Sequence, residues 1–139
     1  GCRDAGVERV RLINRTPERA EALVAHFGPR VESCAWSDRA RGVSDAGVVV
    51  NTTTLGMIGN APLDLDLSAL DRDAIVADIV YVPLETPLLS GARARGHRTV
   101  DGLGMLLHQA VPGFARWFGV RPEGTQALRD ILVADIERK

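Results

Sequence analysis

Asn14, Arg15 and Thr16 stand where an apolar stretch, VRLIN at 10–14, runs into a helical pattern. In sites that bind NAD, a carboxylate at this corner accepts hydrogen bonds from the ribose 2′-hydroxyl. This chain has an amide and a guanidinium there, which would hold a 2′-phosphate that a carboxylate would repel. Arg19 follows one helical turn later and can reach the same anion. The alternative is a solvated helix start with two surface arginines.

Two further polar groups follow apolar stretches. Asn51 to Thr54, in NTTTLGM, come after a β-branched run, and Asp78 and Tyr81 come at the end of AIVADIVY. Doubly wound sheets bind ligands at the carboxyl ends of their strands, so Asn51 to Thr54 and Tyr81 are candidates for ligand contact. The alternatives are a polar strand exit that caps a loop and, for Tyr81, a half-buried phenol without a binding role.

The segment DGLGMLLHQA at 101–110 opens a strongly apolar helical pattern. Its glycines, Gly102 and Gly104, would let the backbone approach another group closely. Gly102, Met105 and Gln109 are spaced by three and four residues, so they share one helix face. A glutamine on that face indicates a cleft. His108 lies one position away, and we predict a structural role for it.

Strands and helices that alternate along the chain must position these groups. Apolar runs separated by helical patterns are typical of a parallel α/β sheet, and the continuous β-branched run at 46–53 predicts a fully buried central strand. The predicted strands are Val10–Asn14, Val31–Trp36, 46–53, 74–81 and 97–102. The predicted helices are Pro17–Phe27, capped by Thr16, then Asp38–Val43, 86–96, Leu103–Phe118 and Glu123–Arg138.

Composition narrows the class of protein. The 139 residues are a one-domain length, with 45% hydrophobic and 25% charged residues and a net charge of −1, which gives no support for a nucleic-acid or membrane partner. The two cysteines have no metal-ligand spacing, so we expect neither zinc nor a disulfide. We therefore expect a cytoplasmic protein without a membrane span or a metal.

Four segments together resemble the C-terminal, NADP-binding domain of the shikimate dehydrogenase family. They are NRTPERA at 14–20, NTTTLGM at 51–57, DIVYVPLETPLL at 78–89 and DGLGMLLHQA at 101–110. The resemblance covers essentially the whole chain. It implies a Rossmann-like, doubly wound parallel sheet at residues 1–139, with NADP as the cofactor and shikimate or 3-dehydroshikimate as the small-molecule substrate.

The resemblance also implies roles for individual residues. Asn14, Arg15, Thr16 and Arg19 would hold the adenosine 2′-phosphate and lie near the adenine. The remaining cofactor contacts would be Thr53 and Thr54 in the groove, Ile79 near the nicotinamide, the Gly102 carbonyl on the carboxamide, and Met105 under the ring. Tyr81 and Gln109 would face the substrate.

Several parts that this family uses have no counterpart in the sequence. The first Rossmann strand, its glycine-rich loop and the N-terminal substrate domain, which carries the family's catalytic lysine and aspartate, are not recognisable. We therefore expect no catalytic residue in this chain and no activity from it alone. The alternatives are a non-catalytic nucleotide-binding module and an NAD-using quinate/shikimate dehydrogenase, although an acid at position 14 or 15 would be expected in the latter.

Overall fold

A computed structural model describes residues 6–138, which form two compact units. The N-terminal unit comprises the described residues up to Ala46 together with Leu65–Leu70. The C-terminal unit comprises Gly47–Asp64 and the described residues from Asp71 onward. Every strand pairing is parallel, which confirms the predicted α/β class. No helix among these residues has both the length and the apolar character to cross a membrane.

The N-terminal unit is a two-stranded parallel sheet with helices packed on it. Its elements are β1 (Val10–Asn14), α1 (Pro17–Phe27), β2 (Val31–Ala35), a 3₁₀ turn (Trp36–Asp38) and α2 (Arg39–Val43). The register pairs Val10 with Val31 and Asn14 with Ala35. Trp36 was predicted as the last residue of β2, but it begins the 3₁₀ turn instead. Pro17 starts α1, and Gly28 ends it with a positive φ of 81°, the backbone region that glycine enters without steric cost.

Arg11 holds β1, β2 and α2 together. Its guanidinium donates to Glu32 at 2.8 Å, to the Gly42 carbonyl at 2.5 Å and to Asp45 at 2.6 Å. Arg9 pairs with Asp45 as well. The pKa of Asp45 is lowered from 3.8 to about 2, chiefly by hydrogen bonds from Arg11. Hydrogen bonds to Asp45 and Glu32 raise the pKa of Arg11.

The C-terminal unit is a three-stranded parallel sheet in the order β3-β4-β5 with three helices. Its elements are β3 (Val48–Asn51), β4 (Ile75–Asp78), α3 (Pro87–Ala94), β5 (Arg98–Val100), α4 (Gly102–Phe118) and α5 (Gln126–Ile136). Helix α3 packs on β4 and β5, and Val76, Leu89 and Leu103 are fully buried. Thr86 and Thr125 cap α3 and α5 by accepting from the N–H groups of Leu89 and Leu128.

The prediction of a fully buried central strand at 46–53 is wrong for β3. Val49 and Asn51 are buried, but Val48 and Val50 are 57% and 50% exposed. The reason is that successive side chains of a strand point to opposite faces of the sheet, and only one face of β3 is packed. A run of β-branched residues indicates a strand, but it does not indicate whether one or both faces of the sheet are covered at that strand.

Candidate functional site

Arg15 and Trp36 directly follow the two paired strands of the N-terminal unit and lie side by side. Asn14 and Ala35 are register partners at the carboxyl ends of β1 and β2, so the residues that follow them emerge at the same edge. The Arg15 guanidinium carbon lies 5.9 Å from the centroid of the Trp36 ring, and that of Arg39 lies 5.2 Å from it. Arg39 Nη1 also donates to the Trp36 carbonyl oxygen at 3.0 Å. Two cations therefore flank one indole.

The predicted anion-binding residues of this edge are exposed, and one detail differs from prediction. Arg15, Thr16 and Arg19 are exposed at the start of α1. Thr16 occupies the N-cap position, but its side chain makes no capping hydrogen bond. Instead, Asn14 Oδ1 accepts from the Thr16 N–H at 2.9 Å, so the amide of Asn14 shapes the turn that presents Arg15. The roles of all four residues in binding remain predictions.

Trp36 and Arg39 were not among the predicted site residues. Trp36 was assigned to a strand, and Arg39 lay in a weak helical pattern. An aromatic residue directly after β2 could have been noticed, because the carboxyl ends of neighbouring parallel strands meet at one edge. The order in which strands pair is needed for that step, and it is a property of the tertiary structure.

A buried polar network stabilises the carboxyl edge of the C-terminal unit's sheet. Asp78, only 2% exposed, accepts through Oδ1 from Asn51 Nδ2 and the Val80 N–H, each at 3.0 Å. Its Oδ2 accepts from Thr86 Oγ1 at 2.8 Å. A buried carboxylate needs such partners, and here both oxygens of Asp78 are engaged in internal hydrogen bonds. The network links the exits of β3 and β4 to the start of α3.

The loop after β3 is organised by the same network. Asn51 Oδ1 accepts from both the N–H and the hydroxyl of Thr53, at 3.0 and 2.8 Å, and Thr53 Oγ1 accepts from the Leu55 N–H. The Thr53 hydroxyl is thus engaged within the loop. Thr54 is exposed, and its carbonyl accepts from the Met57 N–H at 3.2 Å. That Thr53 and Thr54 line a cofactor groove remains a prediction.

Gly102 permits the closest backbone approach in this unit. A Cβ placed on Gly102 would stand 2.2 Å from the Ile79 carbonyl oxygen and 2.7 Å from that of Val80. The Gly102 N–H donates to the Val80 carbonyl at 3.3 Å. The prediction of a close backbone approach is therefore confirmed for Gly102. It is wrong for Gly104, because a Cβ there would meet nothing within 4 Å.

Helix α4 presents the other predicted residues of this edge. Met105 is 42% exposed and Gln109 is exposed on α4, whereas Tyr81 is half-buried in the loop after β4. Asp101 caps α4 through the Leu103 N–H at 3.1 Å and forms an ion pair with Arg129 of α5 at 2.5 Å, which raises the pKa of Arg129. Contact of Tyr81 and Gln109 with a substrate remains a prediction.

A shallow cavity of about 120 Å³ lies beside α4 and α5. Its lining includes His108 and Arg129, but none of the predicted site residues. Among residues 6–138, no group of three or more His, Cys, Asp or Glu side chains could hold a metal ion. The described part of the chain also contains no lysine.

Comparison with known proteins gives consistent matches. A family model described as "Shikimate 5'-dehydrogenase C-terminal domain" matches residues 102–132. A shikimate dehydrogenase (NADP(+)) from Azorhizobium caulinodans is 63% identical over 139 residues, which are 100% of this chain and 50% of that protein. The chain thus spans about half the length of the curated relatives it matches.

Solved structures share the fold. A quinate dehydrogenase from Corynebacterium glutamicum in complex with NAD matches with a TM-score of 0.78 and 34% identity, over 86% of this chain and 44% of that one. A shikimate 5-dehydrogenase from Thermus thermophilus in complex with NADP(H) and shikimate matches with a TM-score of 0.72 and 33% identity, over 87% and 44%. The fold is the Rossmann-like fold of these structures, and over its whole length the chain matches about half of the curated shikimate dehydrogenases, the half that contains their C-terminal domain.

Proposed function

We propose that the chain is the NADP-binding part of a shikimate dehydrogenase, an enzyme that reduces 3-dehydroshikimate to shikimate with NADPH. Curated relatives that are 63% and 58% identical are named for NADP(+), and a solved relative is a complex with NADP(H) and shikimate. Each of these proteins is about twice as long as the chain, so the proposal concerns the cofactor-binding contribution of these residues to that reaction.

One observation carries the choice of cofactor. The turn after β1 presents the Arg15 guanidinium, and the side chain that shapes this turn is the neutral amide of Asn14. A guanidinium binds phosphate through charge-assisted hydrogen bonds, and no carboxylate at this corner competes for a ribose hydroxyl. Thr16 and Arg19 begin α1, where the helix dipole adds a favourable potential for an anion. In this proposal the four residues hold the 2′-phosphate of NADP.

The C-terminal unit would contribute the nicotinamide and substrate contacts. Ile79 and Gly102 meet through their backbones, and the proposal assigns them, with Met105, to the nicotinamide. Thr53 and Thr54 line the groove in this assignment. Tyr81 and Gln109 face the substrate. NADPH, when bound, supplies the hydride; these residues bind and orient, since catalysis of that step needs the carbonyl held against the nicotinamide and a positioned acid.

The chain by itself is proposed to bind NADP without turning over substrate. Lys139 is its only lysine. The carboxylates of Asp78 and Asp101 are engaged in internal hydrogen bonds and an ion pair. Expectations of a cytoplasmic setting and of no nucleic-acid partner stay predictions.

The test is a comparison of nucleotides that differ only in the 2′-phosphate. Isothermal titration should give tighter binding of adenosine 2′,5′-bisphosphate than of 5′-AMP, and of NADPH than of NADH. One charge-assisted hydrogen bond corresponds to roughly a tenfold to hundredfold difference in Kd. Equal affinities within each pair would contradict the proposal.

A second candidate is an NAD-using quinate/shikimate dehydrogenase, which the similarity to the quinate dehydrogenase in complex with NAD favours. Asn14 and Arg15 argue against it, because an acid would be expected at one of these positions. A preference for NADH over NADPH in the same titrations would reverse this choice. The non-catalytic module expected as an alternative is not favoured by the relatives' names.

A further inference from the structure

Trp36 occupies a position from which it can contact more than the guanidinium of Arg15. It follows β2 at the edge where Arg15 follows β1, its ring is only partly buried, and it lies within 6 Å of two guanidinium carbons, at 5.9 and 5.2 Å. An accessible indole at a ligand-binding sheet edge offers a flat apolar surface. A nucleobase stacks favourably on such a surface whatever its identity.

The charges around the indole limit the ligand class. Arg15 and Arg39 contact the ring, and Arg19 is exposed on the first turn of α1. The nearby acid of the 3₁₀ turn, Asp38, lies 3.7 Å from Arg41. A planar aromatic group that carries phosphate would meet both the indole and the cations. Adenosine with a 2′-phosphate has this combination.

We propose that Trp36, flanked by Arg15 and Arg39, is the stacking platform for the adenine ring of the nucleotide. The inference rests on the proposed NADP-binding function and adds to it a residue that determines affinity for the base. Trp36 contributes through the base, whereas Arg15 contributes through the phosphate. Arg39, which donates to the Trp36 carbonyl, holds the start of α2 against the indole and so restrains the platform.

A double-mutant cycle separates stacking on the base from a mere orienting effect on Arg15. The Kd of adenosine 2′,5′-bisphosphate is measured by titration calorimetry for the wild type, Trp36→Ala, Arg15→Ala and the double variant. Removing a stacked aromatic should raise Kd about tenfold, and Trp36→Phe should restore most of the affinity. The effect of Trp36→Ala should persist on the Arg15→Ala background.

Fluorescence gives an independent observation. The sequence contains two tryptophans, Trp36 and Trp117, so Trp117→Phe leaves Trp36 as the sole indole emitter. Trp117 is 79% exposed on α4, and this variant should bind with unchanged Kd. Saturation with adenosine 2′,5′-bisphosphate should quench the remaining emission, and inorganic phosphate should not. Circular dichroism checks that each variant keeps its helices.

The outcomes distinguish this inference from the function it rests on. If the wild type shows no preference for the 2′-phosphate or does not bind the nucleotide, the proposed function fails, and this inference with it. If the wild type binds with that preference but Trp36→Ala leaves Kd unchanged, or changes it only while Arg15 is present, Trp36 is not the platform and only the inference is overturned. A folded Trp36→Phe variant that binds as weakly as Trp36→Ala would also overturn it.

Discussion

Gly102 approaches Ile79 so closely that a methyl group on its Cα would stand 2.2 Å from the Ile79 carbonyl oxygen. The obstacle is backbone rather than a side chain that could rotate away, so the start of α4 can rest on the exit of β4 only with glycine at this position. Two of the three residues that the proposed function assigns to the nicotinamide are therefore held together by the fold itself.

Replacement of Gly102 by alanine should separate these elements. We expect Gly102→Ala to lower the free energy of unfolding by about 3 kcal/mol or more, the upper part of the range for overpacking, because neither carbonyl can move without displacing β4. Urea denaturation followed by circular dichroism measures this. Gly104→Ala is the matched control on the same helix. It has open space around its Cβ, and alanine there should stabilise by about 0.5–1 kcal/mol. Equal effects would contradict the interpretation.

The Thr86 hydroxyl should be important to stability because it serves a buried carboxylate. Thr86→Val keeps the shape of the side chain but leaves Asp78 Oδ2 without its donor and the Leu89 N–H without its cap. We expect a loss of about 2–4 kcal/mol in chemical denaturation. Thr99→Val is the control, since its partner, Arg93, is exposed, and it should change stability by less than about 0.5 kcal/mol. A neutral Thr86→Val would show that the network is not stabilising.

Reversal of charge at position 15 should change which nucleotide is preferred. Arg15→Asp places a carboxylate where the 2′-phosphate is proposed to bind, so Kd for NADPH should rise about a hundredfold while Kd for NADH changes by about threefold or less. Arg121→Asp makes the same change of charge at an exposed position in the C-terminal unit and should leave both constants nearly unchanged. Equal losses for the two nucleotides from Arg15→Asp would contradict a phosphate contact.

Replacement of Gln109 should weaken the binding of substrate and leave the binding of cofactor nearly unchanged. In an active dehydrogenase that carries this chain, for example one completed with the N-terminal half of the A. caulinodans relative, Gln109→Ala should raise KM for shikimate about tenfold through loss of a hydrogen bond. KM for NADP should stay within about twofold, because this side chain is not assigned to the cofactor. Steady-state kinetics with each substrate varied separately measures both. A collapse of NADP affinity would mean that Gln109 faces the cofactor.

The acid stability of the N-terminal unit should depend on Asp45. Its pKa is lowered from 3.8 to about 2, chiefly by hydrogen bonds from Arg11, so the folded state binds the proton less tightly than the unfolded state. This contribution to stability is present above about pH 4 and is lost as the pH falls from about 4 towards 2. The difference in thermal midpoint between wild type and Asp45→Asn should therefore shrink across that interval. A difference independent of pH would argue against the Arg11 contacts as its source.

Most of the secondary structure could be predicted from local sequence patterns. The alternation of apolar runs with helical periodicity predicted the β-strands and α-helices of the described residues, and β1 and α1 agree in both bounds. Pro17 begins α1 and Gly28 ends it through their own backbone preferences, so these helix ends can be predicted without knowledge of the fold. Elsewhere the ends shift: Glu123–Arg138 becomes Gln126–Ile136, because Thr125 supplies the cap.

Strand order and the coverage of each face were decided by tertiary structure. The apolar run of β3 is equally compatible with a strand packed on both faces, but only one face is covered, and Val48 and Val50 on the other face are exposed. The sequence placed Asp78 at the end of a strand without indicating a partner for its carboxylate. Only the approach of Asn51 and Thr86, 27 and 8 residues away, commits its carboxylate to the interior.

The sequence by itself determined the elements, the family resemblance and the polar residues at the strand ends, because each depends on the identities and spacing of neighbouring residues. Tertiary structure decided which of those residues meet. Trp36 beside Arg15 and Gly102 beside Ile79 are pairs distant in sequence. They are brought together by parallel pairing and by a helix start packed on a strand exit, and no local pattern encodes such a distance.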